Sequence, residues 1–131
     1  MIVVDASVLA VALGDDGNDG DRYRERLSGE VLTAPELIDL EVVSVWRHQV
    51  TARLMTARRA KGAVEDLLDL PLRRCSHQPV LQRIWELRHT VTSYDAAYIA
   101  LAETLAVALV TADARLSRAS GVRCAIETLG R

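Results

Sequence analysis

Asp5, Glu41, Asp95 and Asp113 are the residues whose settings ask for a chemical explanation. Asp5 closes the run Ile2-Val3-Val4, an unalternated apolar stretch that predicts a strand covered on both faces. In a sheet of parallel strands the carboxyl ends open into the crevice where ligands bind, so a carboxylate there is placed for function. Ile38, Glu41, Val42 and Val45 recur at helical spacing on one face, which sets Glu41 inside an apolar stripe where a charge is costly without a partner. Asp95 falls in the first turn of a helix that opens at Thr92 or Ser93, and Asp113 follows the apolar run 106–111. Taken singly, Asp95 also serves as a complement to a helix macrodipole and Asp113 as an N-cap. Converging on one crevice, the four acids would repel and desolvate one another unless a divalent cation neutralised them. An all-oxygen donor set selects Mg²⁺ or Mn²⁺. The chemistry that suits such a site is phosphodiester hydrolysis, in which the metal lowers the pKa of an attacking water and stabilises charge on phosphate and leaving oxygen.

The elements that must position these acids alternate. Strands are predicted at 2–4, 30–34, 72–76, 106–111 and 122–126. Helices fall between them: 8–13, stopped by Gly14; 22–27; one opening at Thr33-Ala34-Pro35-Glu36, which has capping-box spacing; 56–70, ended by Pro71; one begun by His77 and Pro79; and one through Ala96, Ala97, Ala100 and Ala102. Alternation of this kind predicts parallel strands joined by right-handed crossovers, hence a three-layer α/β/α sandwich around a central parallel sheet of about five strands. At 131 residues, half of them hydrophobic, the chain is read as one domain, 1–131, with room for a substantial core.

Composition narrows the function. No apolar run approaches the ~20 residues of a bilayer span, and no basic leader precedes the first strand, so a soluble, cytoplasmic protein without a membrane partner is expected. Cys75 and Cys124 read as small hydrophobes in a reducing compartment. His48, His77 and His89 form no paired pattern, which argues against zinc. The acidic loop Asp15-Asp16-Gly17-Asn18-Asp19-Gly20 lacks the closing glutamate of an EF-hand and reads as a polar turn. Net charge is −2, yet fifteen of sixteen basic residues are arginine, with Lys61 the exception; that bias suits phosphate recognition and equally a compositional bias of the source genome. Trp46 reads as core packing ahead of base stacking.

Four segments, in order and at matching spacing over nearly the whole chain, carry a family resemblance: Val3-Val4-Asp5-Ala6-Ser7; Pro35-Glu36-Leu37 leading to Glu41; Tyr94-Asp95-Ala96-Ala97-Tyr98-Ile99-Ala100-Leu101-Ala102; and Leu109-Val110-Thr111-Ala112-Asp113. Together they resemble the PIN-domain family and, within it, the VapC-type toxins of bacterial toxin–antitoxin pairs. The resemblance implies strand order 3-2-1-4-5, a metal-dependent endoribonuclease, a homodimer, and neutralisation by a small VapB-type antitoxin. It makes Asp5, Asp95 and Asp113 metal ligands, Glu41 a ligand through water or the orienter of the attacking water, and Ser7 and Thr111 supporting hydroxyls. The link from Arg88 to Ser93 departs from the family in being short and free of glycine.

The rivals are weaker on specific residues. A receiver-type phosphoacceptor would want a late lysine, a phosphohydrolase with an aspartate nucleophile would want an acid where Ser7 stands, and a nucleotide-binding domain would want a glycine-rich loop after the first strand. A non-catalytic binding module of the same fold has no use for all four acids. The identity of the RNA is not written in composition, because such selectivity rests on loop shape and contacts to unpaired bases.

Overall fold

A computed structural model describes residues 1–130. Its five strands, β1 (Ile2–Val4), β2 (Leu32–Pro35), β3 (Arg73–Cys75), β4 (Leu109–Thr111) and β5 (Ile126–Thr128), form one sheet in the order β3-β2-β1-β4-β5. Every pairing is parallel; Val3 lies opposite Thr33 on one side and Leu109 on the other. β1 therefore holds the centre, and Val3 and Val4 are fully buried, as a doubly covered strand requires.

Six helices cover the sheet: α1 (Ala6–Gly14), α2 (Asn18–Leu27), α3 (Ile38–Thr51), α4 (Ala57–Asp69), α5 (Leu81–Glu86) and α6 (Ser93–Leu105). The first four pack on one another, while α5 pairs with α6 and α6 lies along β1, β2 and β4. Right-handed crossovers moving outward from β1 to β3, then back across to β4, put these two groups on opposite faces. The three-layer sandwich follows. Ala96, Ala97, Ala100 and Ala102 are all buried in α6, and their small side chains let that helix settle against the strands. Among the described residues, no helix is long and apolar enough to cross a membrane, and both cysteines are free and partly buried.

Several boundaries differ from expectation for local reasons. α2 begins at Asn18, inside the predicted turn, and Gly20, in its first turn, lies close against the backbone of Asp15: a Cβ there would lie 1.8 Å from the Asp15 carbonyl oxygen. Thr33 does not cap a helix. It is a buried residue of β2 whose Oγ1 has no hydrogen-bond partner, and the Glu36 amide donates to the Cys75 carbonyl at the sheet end, so α3 starts only at Ile38. Residues 106–108 belong to the turn ending α6, where Ala106 takes a left-handed φ of 55° and the Val107 amide donates to the Ala102 carbonyl. β5 lies later than predicted because Arg123 is tied to α6, its amide donating to Glu103 at 2.6 Å.

Candidate active site

The end of β1 turns into α1 at Asp5, whose backbone is extended and whose carbonyl accepts from the amides of Val8 and Leu9. Its side chain is 7% exposed and is fixed by two hydroxyls. Ser7 Oγ donates to Asp5 Oδ2 at 2.6 Å, and Thr111 Oγ1, from the end of β4, donates to the same oxygen at 2.7 Å. Each hydroxyl is in turn an acceptor: Ser7 from the Ala112 amide at 3.0 Å, Thr111 from the Asp113 amide at 3.0 Å. Both hydroxyl protons are thereby committed to Asp5 Oδ2. With Oδ2 taking both hydroxyls, Oδ1 is the oxygen with no side-chain donor on it.

That crevice is a cavity of ≈ 710 Å³ at the carboxyl ends of β1 and β4, lined by Asp5, Glu41, Asp95 and Asp113. The sequence-predicted acids thus meet, with Ser7 and Thr111 beneath them. Glu41 comes from α3 and Asp95 from the first turn of α6, where Thr92 caps the helix by accepting from the Asp95 amide at 3.2 Å. Burial, then the charges of Asp5 and Asp95, push the Glu41 carboxyl above the usual range against the pull of the Tyr98 hydroxyl. Burial and the neighbouring charges of Asp5 and Asp113 likewise raise Asp95. Asp113 goes the other way, because the Arg115 guanidinium grips it through Nε at 3.0 Å and Nη2 at 2.7 Å and holds its carboxyl low.

The donor set is all oxygen with mutual repulsion on two members, which suits a hard divalent cation. No three acids, histidines or cysteines among the described residues are drawn tightly enough to form a ready coordination shell. Arg115 on Asp113 and Tyr98 on Glu41 occupy oxygens that a cation would share.

Three residues of the site were not identified from the sequence. Tyr98, 1% exposed, donates its hydroxyl to Glu41 Oε1 at 2.6 Å, and burial beside that carboxylate drives the phenol far above its ordinary value. Arg115 clamps Asp113. His48 lines the cavity, two helical turns beyond Glu41 on the same face, a spacing that could have marked it. Trp46 is excluded from ligand contact: it is 1% exposed, with Nε1 donating to the Ala10 carbonyl.

A family model for the PIN domain matches residues 2–122. Ribonuclease VapC12 of Mycobacterium tuberculosis is 41% identical over 127 residues, covering 97% of this chain and 98% of the relative. Ribonuclease VapC9 of the same organism is 38% identical over 131 residues, covering both chains completely. Two solved structures share the fold at low identity. The Mycobacterium tuberculosis VapC20 toxin, described as cleaving the sarcin-ricin loop, matches at TM-score 0.64 and 15% identity over 83% of this chain and 87% of its own. VapBC2 of Rickettsia felis, bound to a DNA fragment from its promoter, matches at TM-score 0.65 and 14% identity over 98% of each chain. The strand order, the acids gathered at the carboxyl ends of β1 and β4, and these full-length matches agree: the chain belongs to the PIN-domain family.

Proposed function

We propose that this protein is an endoribonuclease of the VapC type, the toxin of a VapBC-type toxin–antitoxin pair, acting on RNA in the cytoplasm. The observation that carries the reading is the cavity in which Asp5, held by two hydroxyls, faces Glu41, Asp95 and Asp113. Relatives named ribonucleases, aligned along the whole chain, support the same reaction class. In this reading Asp5, Asp95, Asp113 and Glu41 hold Mg²⁺, with Mn²⁺ an effective substitute. The cation would supply an activated water and stabilise charge on the phosphate. Tyr98 keeps Glu41 oriented, Ser7 and Thr111 keep Asp5 aimed, and burial with neighbouring negative charge raises the carboxyls of Glu41 and Asp95, the direction that suits an acid asked to exchange a proton. A VapB-type antitoxin as partner is supported by the likeness to VapC relatives and to a VapBC structure. A homodimer is part of the proposal, and a monomer at tens of micromolar in light scattering would count against it.

Asp5→Asn is the direct test. The substitution keeps shape and burial but removes charge, so it should leave a folded protein and lower RNA cleavage at least about a hundredfold, the order typical of losing one positioned electrostatic group. Cleavage at the parental rate would remove Asp5 from the mechanism, and activity surviving exhaustive chelation would remove the cation.

A further inference from the structure

Beside the acid crevice lies a second cavity of ≈ 760 Å³, lined by Arg88, His89, Thr92, Asp95, Asp113, Arg115 and Arg118, among others. Asp95 and Asp113 belong to both cavities and form the divide between them. The two flanks differ in charge. Beyond the acids on the first side stand Ser44, Val45, His48 and Leu54; on the second stand three arginines.

What sets those arginines apart is their place on a cavity shared with the acids, together with how loosely they are engaged there. Arg26, Arg59, Arg74 and Arg83 are each matched to a carboxylate that has no place in the crevice. Among the described residues, Arg88 and Arg118 make no ion pair. Arg88 is nonetheless oriented, its guanidinium 4.5 Å over the Trp85 ring and its Nη1 donating to the Trp85 carbonyl at 3.0 Å. Arg115 is 81% exposed at its side chain and anchored only by Asp113. A guanidinium that has shaped itself to a carboxylate presents the fork that also fits a phosphate.

We propose that Arg88, Arg115 and Arg118 form the track that receives backbone phosphates on one side of the bond to be cut, and that Arg115 exchanges Asp113 for a phosphate as the strand enters. The inference rests on the ribonuclease reading for the identity of the strand, and it assigns one flank of that site: on one side of the bond the strand runs from the acids toward the 3₁₀ turn Ala114–Arg118. In the absence of RNA, Arg115 is then a positioning residue that holds the Asp113 carboxylate in place. With RNA bound, it touches substrate.

The test uses a short, mixed-sequence, single-stranded RNA with a fluorescent end. Binding is read by anisotropy in an Asp5→Asn background, which keeps the strand whole, between about 50 and 200 mM salt. Each phosphate contact on a single strand contributes about 0.7 to the log–log salt slope, or ~2.6-fold in affinity over that fourfold range. The triple variant R88Q/R115Q/R118Q should flatten the slope by about 2. R58Q, on α4 and outside both cavities, should leave it unchanged. A triple variant with the control's slope and affinity overturns the track. Cleavage of the same strand by the parent, measured separately with Mn²⁺, tests the underlying reading. If the parent cuts and the triple variant keeps the parental slope, the track alone is wrong. If the parent cuts nothing while the slope flattens, the three arginines bind single-stranded RNA but not beside a scissile bond, and it is the nuclease reading that fails.

Discussion

Tyr98 and Glu41 stand 57 positions apart, and their 2.6 Å hydrogen bond explains how an acid survives inside an apolar helical stripe. Without that hydroxyl, a half-buried carboxylate would keep its desolvation cost and lose its fixed direction. Tyr98→Phe should therefore destabilise the protein by about 1–2 kcal/mol where Glu41 is ionised, and by less near pH 4, below its raised value, where it holds a proton. Urea titrations at a series of pH values from about 4 upward check this, and an equal loss at every pH would mean that the phenol matters only for packing. The same contrast explains what could be read one residue at a time. A carboxylate in an apolar pattern is a visible misfit, so Asp5 and Glu41 announce themselves. Tyr98 fits its helix as an ordinary core aromatic, and Arg115 fits its turn as an ordinary surface cation. Their roles arise only when distant segments meet. Ser7 and Thr111 were legible through family resemblance alone, since a hydroxyl near an acid carries no periodicity.

At the level of elements, strands β1 and β4 and helix α6 follow from apolar runs and small-residue content, because burial on both sides leaves an unmistakable pattern. The errors cluster at element ends, where one tertiary hydrogen bond decides. Thr33-x-x-Glu36 satisfies the capping-box pattern, but pairing of β2 with β1 and β3 takes Thr33 for the sheet and leaves Glu36 in the turn after it. The run from Ala106 looked like strand because its residues are apolar, yet α6 closes there through a left-handed alanine. An L-residue in that region is held against a cost of about 1–2 kcal/mol, part of which glycine would give back in chain entropy. Ala106→Gly should accordingly stabilise the protein by about 0.5–1 kcal/mol and raise Tm by roughly 2–4 °C. A lower Tm in calorimetry would show that the turn owes more to the alanine methyl than to its φ.

Across the whole molecule, carboxylates divide into two groups with opposite effects on stability as pH changes. Asp113, Glu103, Glu127, Asp16 and Glu30 are held low by arginines, foremost Arg115, Arg83, Arg26 and Arg59. Their contribution is present above the ordinary carboxylate values and is lost as pH falls, which builds the acid limb of the stability curve. Glu41 and Asp95 are raised by burial and by like charge. For them the folded state binds more protons than the unfolded one between the ordinary value and the raised one. Their contribution is fully present below the ordinary value and is lost as pH rises through the raised one. The two groups overlap in the parent, so the crevice must be isolated by difference. Asp95→Asn removes one raised acid and relieves Glu41 while keeping the shape of the α6 first turn. In chelator, its Tm should gain on the parent's as pH climbs from about 4, the ordinary aspartate value, to neutrality. A cation that binds only the folded form reverses the parent's deficit: at 100 times its dissociation constant it adds about 2.7 kcal/mol, a Tm rise of roughly 10 °C for a chain of this size. That rise should shrink in Asp95→Asn, which has lost a ligand. Melts of both proteins across pH, with chelator and with Mn²⁺, read all of these trends in one experiment. If Asp95→Asn runs parallel to the parent at every pH and keeps the whole Mn²⁺ shift, the acids neither repel one another nor share a cation, and the crevice is not the catalytic centre.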